Sequence, residues 1–474
     1  LNVSVISTNS VSYGVYASSD YMTISSVNVD AGGNITQAGL RISSWTTISY
    51  SSVTVFGAHG LRVDGILNNV SYTNAVTSGP AVYALFMSGA SSNSFNVVLA
   101  SNPAGHGAYL TSNSNHNDLR FSVFASDTSL YAAMFLTLNS SSNTVSGSYI
   151  SNPKGYGASL NSSSNYNVIT QSTMTSNALN YTACYVVNSD FNRVSESYIS
   201  NSAGFGARLT TGSDYNTITQ STMLANMAGA GALYVFNSAS NTVSGSYMSN
   251  QSGSGAVLFG GANNNTILAS TITSTALGYT ALDIQTSSSI IVMDSYLQGP
   301  NALSISGATG TMLGGSVLVA TNTTGNALQM SAGASDLTVA TSVIRGSPQG
   351  AAIFMAQGNS GFVALTSNTI TGGRWGVSIA TMTCGACDGN VSIASLTFSG
   401  GITAGATAIH FAGGTFASTF TTVGFNDSNI AIDVNGAPLD TASRITMVGY
   451  TGPKSGPAFE NDPNSLVYWV SQLP

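Results

Sequence analysis

The chain has 474 residues, 43% of them hydrophobic and only 6% charged, with 51 glycines, a net charge of −7 and a pI near 4.7. An ordinary domain carries about 25% charged residues; here Ser, Thr, Asn and Gly stand in their place. The scarcity of cations excludes nucleic acid as a partner, the evenly spread Val, Ile, Leu, Phe and Tyr exclude disorder, and no run of about 18 apolar residues is present to span a membrane as a helix.

The first stretch, "LNVSVISTNSVSYGVYAS", reads as strand from its first residues, with no charged-then-apolar leader and no initiator Met. Leu1 is therefore expected to begin a mature or trimmed chain. Short β-branched and aromatic runs of near period two follow, punctuated by Gly, Asn, Ser and Pro, and no amphipathic helix interrupts them. Gly57-Ala58-His59-Gly60 and Gly105-His106-Gly107 place a histidine beside glycine. The second triplet resembles a signature of the polygalacturonases, but no Asp or Glu falls near that slot in the flanking repeats.

From residue 91 to 284 the chain repeats itself. "SSNTVSGSYISNPKGYGASL", "DFNRVSESYISNSAGFGARL" and "ASNTVSGSYMSNQSGSGAVL" are one unit; "NYNVITQSTMTSN", "DYNTITQSTMLAN" and "NNNTILASTITST" are a second that alternates with it. One slot tracks the period through Asn93, Asn117, Asn143, Asn167, Asn192, Asn216, Asn241 and Asn265, in steps of 24, 26, 24, 25, 24, 25 and 24. Trp45 and Asn69 continue it backwards, Asp336 and Gly361 forwards. This period is too short for helix pairs or propeller blades, and the leucine framework of leucine-rich repeats is absent. Three short strands per turn, coiled so that like slots stack at about 4.8 Å, give a parallel β-helix. Its Asn column is expected to hydrogen-bond along the axis and to favour turn conformations that Asn tolerates. At this period the chain makes about 19 rungs in a rod of about 90 Å. The expected organisation is one solenoid over 1–449, with 450–474 as a tail.

These rungs resemble the right-handed parallel β-helix superfamily, the pectin-lyase-like fold. The resemblance implies a right-handed coil, as parallel crossovers favour in general, and a secreted or cell-surface setting. It spans polysaccharide lyases and hydrolases, adhesins, tailspikes and repeat proteins without chemistry, so fold alone chooses no function.

Aligning the repeats decides most candidate residues. Asn102, Asn152, Asn201 and Asn250 each precede a G-x-G whose centre is His106, Tyr156, Phe205 or Ser254. The glycines are expected to serve a turn needing positive φ or a close backbone approach; the centre tolerates any residue, so His106 is structural, and His59 likewise. His116 shares a slot with Tyr166, Phe191 and Tyr215 and is expected in an aromatic stack. His410 alternates with apolar residues on a strand. Cys184 aligns with Leu233 and Leu282 and is expected as a buried small hydrophobe. Cys384 and Cys387 form a C-G-A-C pair, read as a loop disulfide. Asp190 and Asp214 occupy one slot 24 apart; they are either solvated turn residues or a Ca²⁺ pair. Tyr149, Tyr198 and Tyr247, 49 apart, are either a sugar-stacking ladder, with Trp45 and Trp375, or an inward core ladder. Sequons such as Asn34-Ile35-Thr36, Asn180-Tyr181-Thr182 and Asn322-Thr323-Thr324 matter if the source glycosylates secreted proteins.

The tail leaves the period, gathers prolines and ends in "LVYWV", which either caps its own solenoid or pairs with the open rung of a neighbour. Taken together, the sequence predicts a non-enzymatic extracellular β-solenoid without cofactor, a filament, coat or adhesive-stalk component whose partner is itself, head to tail, or a cell-surface or matrix component. The alternative is a polysaccharide-binding or polysaccharide-degrading β-helix.

Overall fold

The computed structural model describes residues 2–4, 10–331, 333–356, 359 and 362–379, and beyond them 391–394, 396–398, 407–411, 417–421, 424–425, 430–433, 444–448, 459–460 and 466–470. The chain divides into two compact units, Leu1–Thr242 and Val243–Pro474. Every regular element among the described residues is a strand, and every pairing is parallel.

In the first unit a turn lays two short strands on one face (sheet A), merged into one over Asn69–Thr77 and Ser94–Asn102, and one strand on the other (sheet B). The turn that starts at His106 shows the plan: His106–Thr111 on sheet B, then Asp118–Arg120 and Val123–Ser126 on sheet A. The next turn places Ala132–Leu136, Thr144–Ser146 and Tyr149–Asn152 against the same three strands. Sheet B of this unit runs through ten strands, from Val11–Ala17 to Gly231–Phe236. The second unit repeats the plan from Ser254–Phe259 to Trp375–Ile379. The rest of the about 19 rungs expected from the period falls where separate strands alone are described, as do the tail strands Phe459–Glu460 and Leu466–Val470.

Period-two alternation sends one residue in two inward, and parallel register stacks like on like. Val70, Phe95, Leu119, Val145, Ile169, Val194 and Ile218 form one such buried column. Each side chain of this size contributes about 1.5–3 kcal/mol when taken out of water. Cys184 stands in another, between Ala158 and Ala207, fully inside. Burial pushes its thiol up to about 12, so it packs as a small hydrophobe, as expected.

The corners are the costly part, because their backbone N–H groups point away from the ladders while still buried. Side chains of the next turn satisfy them. Asn68 Nδ2 donates to Asn93 Oδ1 at 2.9 Å, and the relay continues Asn93 to Asn117, Asn117 to Asn143, Asn143 to Asn167 and Asn167 to Asn192 at 2.9–3.2 Å. The same oxygens accept backbone N–H groups, from Asn93 onto Asn117 at 3.0 Å through to Asn216 onto Asn241 at 2.8 Å. Three details differ from the sequence reading. The column continues backwards at Asn68 rather than Asn69, whose partners are Thr47 and Ser94. The left-handed residue is the one before each Asn: Ser92, His116, Ser142, Tyr166, Phe191 and Tyr215 all have φ of 56–59°. In the second unit Asn265 is buried, but the slots that follow it are Ile290, Thr311 and Leu337; Asp336 sits one position early, at the left-handed site, and Gly361 lies outside the described residues.

A second relay, not seen in the sequence, closes the corner between the two sheet A strands. Val98, Ser122, Ser148, Ser172 and Ser197 each donate a backbone N–H to the serine Oγ one turn on, at 3.1–3.2 Å. Ser246, Ser270, Ser295 and Ser316 do the same in the second unit. The G-x-G glycines follow one of the two expected reasons. Their φ values are ordinary, but a Cβ on Gly105 would lie 2.5 Å from Val82 O and one on Gly107 2.6 Å from Ala133 O. Close approach, not positive φ, requires them.

Replacing Asn143 by Ala strands the N–H and one amide hydrogen of Asn117 and the carbonyl of Ser114. Urea unfolding is expected to show a loss of about 3 kcal/mol or more, at 1–3 kcal/mol per stranded buried group. A loss under about 1 kcal/mol would show that the relay adds no more than an average hydrogen bond.

Candidate functional site

The outward face of sheet B in the first unit carries a stripe of aromatic and arginine side chains, interrupted at Ser159. Register aligns Tyr16, Arg41, Arg62, Phe86, Tyr109, Phe135, Ser159, Tyr185, Arg208 and Tyr234 in one column. A parallel column three residues earlier holds Tyr83 and His106, then Tyr156 opposite Ala132 and Phe205 opposite Thr182. The rings touch along the axis. Phe86 stacks on Tyr109 at 5.9 Å and Tyr109 on Phe135 at 5.5 Å, while His106 lies parallel to Tyr109 at 5.1 Å and Tyr156 to Tyr185 at 5.2 Å.

Three arginines are set among these rings. Arg41 and Arg62 share the carboxylate of Asp64, at 2.6 and 2.8 Å. Arg208 lies 4.9–5.6 Å from the centroids of Tyr185, Phe205 and Tyr234. Its Nε has no hydrogen-bond partner, and no carboxylate pairs with it among the described residues. A cation held by ring faces alone keeps its hydrogen-bonding directions for a ligand.

His106 is 7% exposed. Its Nδ1 accepts the Ala132 N–H at 2.9 Å, and His59 Nδ1 accepts the Tyr83 N–H at 3.0 Å in the same way. Burial pushes both imidazoles down to about 4, so both are neutral at pH 7; His106 Nδ1 also lies 3.0 Å from the Ala132 carbonyl oxygen. His106 is anchored by the backbone of the next turn, and its slot, indifferent in the sequence comparison, is one position in the ring-lined face.

The other candidates are placed as follows. Tyr149, Tyr198 and Tyr247 point outward from sheet A and are 40–47% exposed, which decides between the two readings of their direction. Threonines lie between them in the column, Thr173 between Tyr149 and Tyr198. Hydrogen bonds from Ser151 and Thr175 hold the Tyr149 phenol below its ordinary value. Asp190 accepts the Asp214 N–H at 2.8 Å, and Asp214 accepts the Ala239 N–H at 2.6 Å. Asn165 does the same for Asp190, so the two carboxylates stand in a further corner relay. No group of three His, Cys, Asp or Glu side chains suited to a metal occurs among the described residues.

His116 does not join a ring stack: its column neighbours are Ser92 and Ser142. The stack is Tyr166, Phe191 and Tyr215, at 5.0 Å spacing and within 5° of parallel. His410 stacks on Trp375 at 5.3 Å. Cys384 and Cys387 lie outside the described residues. In the second unit the outer column of sheet B reads Val257, Asp283, Ser304, Gln329, Phe354 and Ser378. Burial raises the Asp283 carboxyl above its ordinary range, offset in part by hydrogen bonds from Gln285 and Ser304.

The right-handed β-helix region family matches residues 135–294, and the fold is that of a right-handed parallel β-helix. Similar solved structures include the surface adhesin PfbA of Streptococcus pneumoniae (10% identity over 69% of this chain and 84% of that one, TM-score 0.43). They also include the mannuronan C-5 epimerase AlgE6 A-module of Azotobacter vinelandii (11%, 87% and 88%, 0.33) and an alginate lyase of Paenibacillus (13%, 55% and 92%, 0.34). No curated protein matches the sequence.

The two histidines fix a pH dependence. Between their ordinary value of 6.5 and about 4, the unfolded chain binds protons that the folded one refuses. Their contribution is therefore whole above pH 6.5 and is lost as pH falls towards 4, by about 3 kcal/mol for each. Thermal melts across this range are expected to show the loss, and His106→Phe, the residue that Phe205 supplies in the same column, is expected to halve it. An unchanged slope in the variant would remove His106 as a source.

Proposed function

We propose that the chain is a surface-displayed, non-catalytic β-solenoid that holds glycans along the outward face of sheet B in its first unit. The observation that carries this reading is the ring-and-arginine stripe from Tyr16 to Tyr234. The rings of the stripe are half-buried beyond the exposed Tyr16; contiguous aromatic surface left open to solvent in this way marks a contact site, and Tyr and Arg dominate the energetics of such sites. Ring faces pack against the C–H faces of sugars, while Arg208 and the phenols meet hydroxyl or acid groups. The solenoid supplies rigidity and reach for a stalk, coat or filament element outside the cell.

A degradative reading is favoured by one group, Asp283, whose carboxyl burial raises above its ordinary range on the outer column of the second unit. Glycoside hydrolysis calls for two facing carboxyls; from Val257 to Ser378 the column holds one, Asp283, and its register continues through His410, Asp433 and Glu460.

A glycan array followed by titration with the polysaccharides that bind tests the proposal. Tyr109→Ala combined with Arg208→Ala is expected to weaken binding by about tenfold or more without loss of fold. Absence of binding to any glycan overturns it. New reducing ends or unsaturated products, lost in Asp283→Asn, would establish the degradative reading instead.

A further inference from the structure

The stripe has one gap. Ser159 takes the place of a ring between Phe135 and Tyr185. The two rings are two turns apart, about 9.6 Å, and between them opens a cavity of about 250 Å³. His106, Tyr131 and Phe135 form one wall, with Phe135 stacked on His106 at 4.9 Å and Tyr131 edge-on to it at 4.9 Å. Tyr156 and Tyr185, stacked at 5.2 Å, form the other. Ser159 and Asn161 complete the lining on the strand between them, with Leu130, 80% exposed, at the rim.

We infer that this notch is a subsite for one uncharged pyranose ring, the anchoring unit of a glycan held by the stripe; the inference rests on the glycan-binding reading above. Size limits the occupant. The cavity is smaller than the roughly 300 Å³ at which pockets begin to enclose a multi-ring ligand, so a chain segment does not fit and a single ring does. Chemistry limits it further. Ring faces on two sides suit a saturated ring with axial C–H groups, and the polar atoms are those that hydroxyls pair with: the Ser159 hydroxyl, the Asn161 amide, the tyrosine phenols and the His106 Nε2, which donates or accepts according to the tautomer while Nδ1 is engaged by Ala132. The Asn161 Oδ1 already accepts the Ser162 hydroxyl at 3.0 Å, which turns its NH₂ into the free end. No lining residue carries a charge at pH 7, so a uronate or sulfated ring entering here would lose water and gain no counter-charge. Arg208, on the next turn beyond Tyr185, is placed to meet an acid group on a neighbouring sugar, not on the one in the notch.

The test uses the whole chain and a panel of methyl glycosides (gluco, galacto, manno, xylo and N-acetylglucosamine) with methyl glucuronide and N-acetyltyrosine amide as contrasts, read by tyrosine fluorescence and NMR shifts. At least one uncharged methyl glycoside is expected to bind with a millimolar Kd. Ser159→Tyr, which continues the ring column through the gap, is expected to weaken that binding by about tenfold or more, while Ser159→Ala leaves it within about threefold, since a single neutral hydrogen bond is worth about 0.5–1.5 kcal/mol. Melting curves confirm that both variants fold. If polysaccharides bind but no monosaccharide does, or if Ser159→Tyr changes nothing, the subsite is wrong and the glycan face stands. If a monosaccharide binds and no polysaccharide does, the subsite stands and the extended face is wrong. Stronger binding of the glucuronide, or of the tyrosine amide, overturns the assignment to an uncharged sugar.

Discussion

Everything in this fold depends on buried corners whose backbone N–H groups have no strand to pair with. A parallel sheet satisfies its own backbone between corners and leaves the corners to the side chains. Each turn solves the problem by offering an amide or hydroxyl oxygen to the turn before it, from Asn117 to Asn93 N–H and from Ser148 to Ser122 N–H. Because the acceptor must stand in one place, Asn holds its corner without change from Asn93 to Asn241, and the outward positions between the corners are left free. The period of the sequence is the spacing of these obligations.

That division of labour explains what the sequence disclosed. Positions with a fixed duty repeat, so the Asn column from Asn93 to Asn241 and the inward apolar columns could be read off by alignment. The Ser relay repeats as faithfully, yet in a chain this rich in serine it has no contrast against its background. The off-by-one choice of Asn69 over Asn68 has a similar cause: two asparagines in succession carry the same signal, and only the register with Ser94 separates them. Asp336 misled because it occupies the left-handed site that Asn or Asp tolerates, beside the slot and not in it.

The candidate site was hidden for the opposite reason. Tyr16, Arg62, Tyr109, Tyr185 and Arg208 mix two residue types and lie in no common motif; what unites them is a column that appears once the strands are in register. The repeat comparison treated the centre of G-x-G as free to vary, and so it is as regards the corner. Variation at a position excused from structural duty is where a surface is tuned, and the ring-rich run from Tyr83 to Phe205 is such a surface. His106 belongs to both layers, with Nδ1 held by the backbone and its ring set among the others.

The relays also set the unit in which such a chain can change length. Every acceptor is supplied by the matching residue one turn away, so excising a whole turn, or the 49-residue pair of turns, rejoins equivalent partners and leaves each relay intact. Excising half a turn misaligns all of them together. Unequal recombination between the near-identical stretches at 141–160, 190–209 and 239–258 would therefore produce longer and shorter versions that still fold, and the reach of the solenoid is a quantity that evolution can adjust in discrete steps without redesigning a single corner.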